Sequence, residues 1–197
     1  MSLAAENYVV QNSIKRLGWT AWSLIALVAF LWTGLIVAAP VLQANDFPGS
    51  ANFIYAAFSY LCHQIAERSF YLEGHPLAVC SRCFGVYAGL AAGILLFPIL
   101  RSVYSSPPPP RIVLFLAPVP TAIDWALGVF GIWENTHFSR FATAAILGAV
   151  CAFFVVPAVV EITRFVFLKN KRKRVIAVPP AAKANAPSDY SRPDLRI

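Results

Sequence analysis

Three of the four cysteines in this 197-residue chain fall within twenty-two residues. The stretch opens on Cys62-His63-Gln64, continues through Arg68-Ser69-Phe70 and His75, and closes on Cys80-Ser81-Arg82-Cys83. A C-x-x-C pair turns two sulfurs the same way, so Cys80 and Cys83 can share one ion, with Cys62 as a third ligand. His63 is the nearest candidate for the fourth position of a tetrahedral zinc or iron site. Its adjacency to Cys62 is awkward, because neighbours on a helix diverge by about 100°. His75, His137 and Asp124 are the other ligands available. Phe84 follows Cys83 where a c-type haem site would need histidine.

The same residues also fit redox chemistry. A helix start and a neighbouring arginine favour a thiolate at Cys80-Ser81-Arg82-Cys83. Cys80 and Cys83 would then be the redox pair, Cys62 the exchanging thiol and a membrane quinone the electron acceptor. A structural disulfide or inert buried thiols are the third option. Cys151, alone in an apolar run, reads as a small packing residue.

The elements that must position these residues are apolar. The chain is 58% hydrophobic and 13% charged, with a mean hydropathy of +0.64. No charge falls between Arg16 and Asp46, between Arg82 and Arg101, or between Arg140 and Glu161, and Asp124 alone interrupts Arg111 to Glu134. Such gaps match the ~20 residues that cross a bilayer core. The pattern predicts an all-α integral membrane bundle of four transmembrane helices over 17–42, 83–100, 112–132 and 141–160, the last continuing to about 168. The aromatic run 53–64 would reach only about 18 Å as a helix, so it is expected to be a short re-entrant or interfacial half-helix. Residues 65–79 read as a polar loop, and Pro107–Pro110 as a stiff connector. Trp19 and Trp22 suit a membrane interface, whereas Trp32 lies too deep for one.

The formal charge of +7 does not indicate nucleic acid, because the basic residues cluster at Lys169–Arg174 just after the last apolar run. That placement indicates topology and contact with anionic lipids. Lys15, Arg16, Arg101, Arg111 and this cluster fall on one side of four crossings, and Arg68, Arg82 and Arg140 on the other. The larger group marks the cytoplasm. Both termini are then inside: residues 1–16 form a cytoplasmic N-terminus, 17–168 the membrane domain, and 169–197 a basic and then disordered or partner-bound tail. The Cys/His stretch faces outward, together with the loop holding Glu134, Asn135 and His137. Asp124 is a carboxylate within a span, where it needs a cavity or a partner such as Arg140, Arg82 or Arg68. Gly85, Gly89 and Gly93 repeat at four-residue spacing and allow close helix approach, within the bundle or against a subunit of a larger membrane complex.

The chain resembles the DUF2085 family of small bacterial and archaeal membrane proteins of unknown function. The resemblance rests on Cys62-His63-Gln64, Arg68-Ser69-Phe70, Cys80-Ser81-Arg82-Cys83, Gly85 and Tyr87, and on a looser block of Asp124, Asn135, Arg140 and Thr143. Trp125 and Ala144 stand where the family commonly has glycine. The resemblance implies that these Cys, His, Arg and Asp positions belong to one site, and it carries no activity. The expectation is therefore a bacterial cytoplasmic-membrane protein with an outward-facing zinc site of Cys62, His63, Cys80 and Cys83, supported by Arg68, Arg82, Asp124 and Arg140.

Overall fold

The structure, a computed structural model, describes residues 3–104 and 107–176, with side chains from 12 to 169. Six helices form it: α1 (Leu3–Ala44), α2 (Pro48–Ser59), α3 (Ser81–Leu100), α4 (Arg111–Leu116), α5 (Val119–Val129) and α6 (His137–Ile176). Four segments are long and apolar enough to cross a membrane: Asn12–Ala44, Ser81–Leu100, Arg111–Val129 and His137–Lys169. The third is broken where Pro118 and Pro120 separate α4 from α5. α2, at 12 residues, spans only about 18 Å and is the expected half-helix, placed five residues earlier than the aromatic run suggested. α1 starts at Leu3, so the polar N-terminal residues continue the first span's helix.

The bundle closes on α3 and α6. A Cβ at Gly85 would meet the Phe141 carbonyl, one at Gly89 the Ala145 carbonyl, and one at Gly93 the Ala152 Cβ at 2.7 Å. Gly148 of α6 returns the contact, lying against the Val86 carbonyl. Small residues on both helices bring the backbones together, and dispersion then acts where lipid offers no hydrophobic gradient. The glycine face thus packs against α6 of the same chain, the first of the two uses its spacing allowed. Most of the remaining surface of the spans is apolar and exposed, as at Leu24, Phe30, Ile99 and Phe165.

Two helix prolines tie the bundle together through the carbonyls they leave free. Pro98 supplies no N–H to Ile94, and Trp22 Nε1 donates to that carbonyl at 2.8 Å. Pro40 likewise frees Ile36, whose carbonyl accepts from Ala78 N at 3.4 Å. Away from water an unpaired carbonyl costs several kcal/mol, so each proline creates a demand that a neighbouring segment meets. Trp22 is therefore a cross-helix donor rather than an interface anchor. Trp32 packs edge-on against Phe58 and Tyr87.

Residues 65–79, expected to be a polar loop, carry short regular structure. A 3₁₀ turn (Ala66–Arg68) leads into a hairpin of β1 (Tyr71–Leu72) and β2 (His75–Pro76), paired Tyr71↔Pro76 and Leu72↔His75. Its two-residue turn, Glu73-Gly74, has φ +51° and +77°, a primed turn in which glycine carries one positive φ at no steric cost. The hairpin delivers Leu77, Ala78 and Val79 to a core with Ile36, Ala39, Ile54 and Phe58. Those three apolar residues were hidden in sequence by the polar ones before them.

The basic residues separate as the apolar gaps implied. Lys15 lies 5.5 Å from the Tyr104 ring centroid, which puts the α1 basic pair at the end of the bundle where α3 finishes. Arg68, Arg82 and Arg140 converge at the opposite end. The α6 backbone runs through the whole basic cluster, but the side chains after Lys169 and the whole tail from 177, with its lipid and partner expectations, lie outside the described residues.

Candidate functional site

The sulfur cluster is built from two short segments. Just past the end of α2, Cys62 N donates to the Phe58 carbonyl at 3.0 Å. The chain then turns through Gln64 at φ +50°, which aims Gln64 N at Cys62 Sγ (3.5 Å). From the other side, Cys80 is the N-cap of α3 and Cys83 lies in its first turn. Cys80 N donates to Cys62 Sγ at 3.2 Å. The three Sγ atoms lie within 4.8 Å of one another, and no disulfide joins them. Cys62 is 7% exposed, and Cys80 and Cys83 are half-buried.

Gln64 holds the two segments in register. Its Nε2 donates to the Tyr55 carbonyl at 2.7 Å and the Ala78 carbonyl at 2.8 Å. Tyr55 OH completes the link by donating to the Pro76 carbonyl at 2.6 Å, and burial pushes the Tyr55 phenol up, keeping it protonated. Neither residue belonged to the sequence-predicted site. The signal for Gln64 was an amide beside Cys62 in an apolar setting, where both donors need partners.

The cluster pulls Cys80 well below the ordinary thiol range, to about 5. The largest cause is the hydrogen bond from the Cys83 side chain. Backbone N–H groups at the start of α3 add to it, while burial opposes. Together these hydrogen bonds favour a thiolate at Cys80.

Around the sulfurs lies a recess of about 180 Å³ whose wall also includes Arg68, Arg82 and Arg140. Arg82 Nη2 bonds Asp124 Oδ2 at 2.9 Å, a pair with Asp124 7% exposed. Asn135 Nδ2 donates to the same Oδ2 at 2.9 Å and to the Asp124 backbone carbonyl at 2.5 Å. Asn135 reaches it because Gly131 (φ +67°), just past the end of α5, folds the chain back, and because Gly128 leaves room for the amide. The carboxylate is thus the anchor between α3 and α5, and it lies apart from the sulfur cluster.

The histidines divide. His63 is exposed on the rim of the recess. Among the described residues no histidine nitrogen or carboxylate oxygen joins the three sulfurs at their mutual spacing. His75 sits in β2 opposite Leu72. His137 opens α6 and is half-buried rather than solvated. Its Nδ1 lies 3.1 Å from Ser81 Oγ, whose own proton goes to the Arg68 carbonyl at 2.8 Å, so the ring nitrogen is the donor. Its ring rests 5.8 Å from Phe70. Ser81 and His137 thereby fasten the starts of α3 and α6 together beside the sulfurs.

Comparison with known proteins places this arrangement in a family. The family model described as "Predicted membrane protein (DUF2085)" matches residues 62–154. An uncharacterized protein of Methanocaldococcus jannaschii is 32% identical over 144 residues, covering 70% of this chain and 92% of the relative. An uncharacterized protein of Methanothermobacter thermautotrophicus is 37% identical over 86 residues, covering 44% of this chain and 76% of the relative. Both relatives are archaeal, so the expectation of a bacterial protein has no support from them. No solved structure matches the chain. The matched region begins at Cys62 and takes in every residue of the sulfur and arginine cluster, and the chain belongs to the DUF2085 family of predicted membrane proteins.

Proposed function

We propose that Cys62, Cys80 and Cys83 bind one zinc ion at the outer end of the bundle. The observation that carries this reading is the meeting of three sulfurs from two separate segments within 4.8 Å of one another. Tetrahedral zinc thiolates with ~2.3 Å bonds need sulfurs roughly 3.8 Å apart, so small side-chain adjustments suffice. The donor set also fits: Cys80 is already ionised, and backbone N–H groups point at Cys62 Sγ, as a thiolate ligand requires. Iron fits the same donors less specifically. Three protein ligands leave a fourth position facing the recess, where His63 on the rim or a small exogenous ligand can enter. The ion would hold the Cys62 turn to the start of α3, a structural role whatever occupies that position.

A second reading is supported by the ionised Cys80 beside Cys83. The Cys80 thiolate and the Cys83 thiol would be oxidised to a disulfide, passing two electrons and the Cys83 proton to a membrane quinone, which takes its second proton from water and becomes the quinol, with Cys62 exchanging with an external thiol. Metal analysis and thiol counting of the purified protein distinguish the two. About one zinc per chain, lost on Cys62→Ser, Cys80→Ser or Cys83→Ser, supports the metal site. A metal-free protein that loses two titratable thiols on oxidation and regains them with reductant would sink it in favour of the redox pair.

A further inference from the structure

Arg68, Arg82 and Arg140 line not only the recess beside the sulfurs but a second, larger one of about 560 Å³. The second opens toward Trp125 and Trp133, which are 56% and 62% exposed. The three arginines therefore stand between a sulfur cluster and an aromatic-walled opening at the rim of the bundle. Protein groups neutralise them only in part, the Cys80 thiolate and Asp124 being the negative charges that act on Arg140. Among the described residues Asp124 is the one carboxylate within ion-pair distance of any of them, and it takes a single Nη2 of Arg82. Arg82 Nε and Arg140 Nε are buried without a hydrogen-bond partner. Glu134 lines the outer recess but lies within ion-pair distance of none of the three.

The surroundings add positive potential. α3 and α6 both begin here, joined through Ser81 and His137, so two long helices present their N-terminal dipole ends on this side. Guanidinium groups with free Nε edges are the donors best matched to the paired oxygens of phosphate or carboxylate. Trp125, Trp133 and the neighbouring exposed Phe130 and Ile132 form an amphipathic rim of the kind that sits at headgroup level.

We propose that Arg68, Arg82 and Arg140 form an oxyanion site for a phosphate group, carried by an anionic phospholipid whose headgroup enters between Trp125 and Trp133. The site does not depend on metal. Its second recess involves no cysteine, and phosphate bound to the arginines would sit beside the sulfurs without ligating them. A free phosphate presents the same oxygens, so the test separates the two sources.

Purified full-length protein in a non-ionic detergent is titrated with short-chain phosphatidylglycerol, short-chain phosphatidylcholine and inorganic phosphate, with tryptophan fluorescence as the readout. Saturable binding of phosphatidylglycerol, at least tenfold tighter than phosphatidylcholine and weakened at least tenfold by Arg68→Gln with Arg140→Gln, is expected. Equal arginine-dependent binding of inorganic phosphate would keep the oxyanion site and assign it to a free anion. Arginine-independent binding, or none, overturns the site. Arg68→Gln alone, on an exposed side chain, keeps the test available if the double variant does not fold. Zinc content, measured on the same samples, separates failure of this site from failure of the metal site.

Discussion

Cys80 and Gln64 show how single residues make the site. Cys80 is drawn down to about 5 by the Cys83 hydrogen bond and the helix start, so in metal-free protein its alkylation by iodoacetamide should rise with pH through about 5 and be complete by neutrality. The thiolate is the nucleophile, so the rate climbs as the proton leaves. A half-rise in the ordinary thiol range near 9 would mean that the Cys83 hydrogen bond and the helix start do not stabilise a thiolate at Cys80. Gln64 adds two amide bonds across the junction. At ~1 kcal/mol each, Gln64→Ala should cost about 2 kcal/mol, seen as a lower melting temperature in detergent. The Cys, Arg and Asp positions of the site were readable as residue types in an apolar chain, where each demands a partner. Which partner each one takes was not readable. His63, next in sequence to Cys62, lies apart from the sulfurs, while His137, seventy-five positions from Cys62, is joined to Ser81 beside them. Adjacency along the chain says little about direction once a residue such as Gln64 reverses the backbone.

At the level of elements, the four spans and the short α2 followed from charge gaps and length alone, because a bilayer admits few alternatives. The hairpin between them did not, since two-residue strands leave almost no periodic trace. Small residues set how near α3 and α6 can come, and that spacing holds Ser81 against His137. Gly89→Val should therefore be among the most damaging substitutions in the chain. Its side chain would overlap the Ala145 backbone, and relief requires moving a whole helix, at a cost of roughly 3 kcal/mol or more. Thermal unfolding monitored by circular dichroism would register this, and Gly49→Val, where nothing lies within 4 Å of a Cβ, serves as the control. A Gly89→Val protein as stable as the parent would mean that the two helices are further apart than described.

Across the whole molecule, the basic residues divide between two ends, with Lys15 near Tyr104 at one and Arg68, Arg82 and Arg140 at the other. On the expectation that the larger basic group is the cytoplasmic one, the sulfurs face outward. A membrane-impermeant maleimide applied to intact cells should then label Glu73→Cys, at the exposed hairpin turn, in a background with the native cysteines replaced. It should not label Lys15→Cys in a background with the native cysteines replaced, until the membrane is permeabilised. The reverse pattern would invert the topology and move the proposed zinc and phosphate sites to the cytoplasmic face.

Composition and spacing alone determined that this chain is a membrane helical bundle, that its cysteines gather between Cys62 and Cys83, and that the α3 glycines form a packing face, because each follows from a local requirement: an apolar run long enough to cross lipid, a sulfur pair one turn apart, a repeat of four. Only the tertiary structure decided that the glycine face is spent on α6, that Pro40 and Pro98 hand their carbonyls to Ala78 and Trp22, that three sulfurs meet without a histidine, and that three arginines from separate segments surround one opening. Those outcomes depend on which distant segments share space, and that is set by the satisfaction of buried donors, acceptors and volumes across the whole bundle.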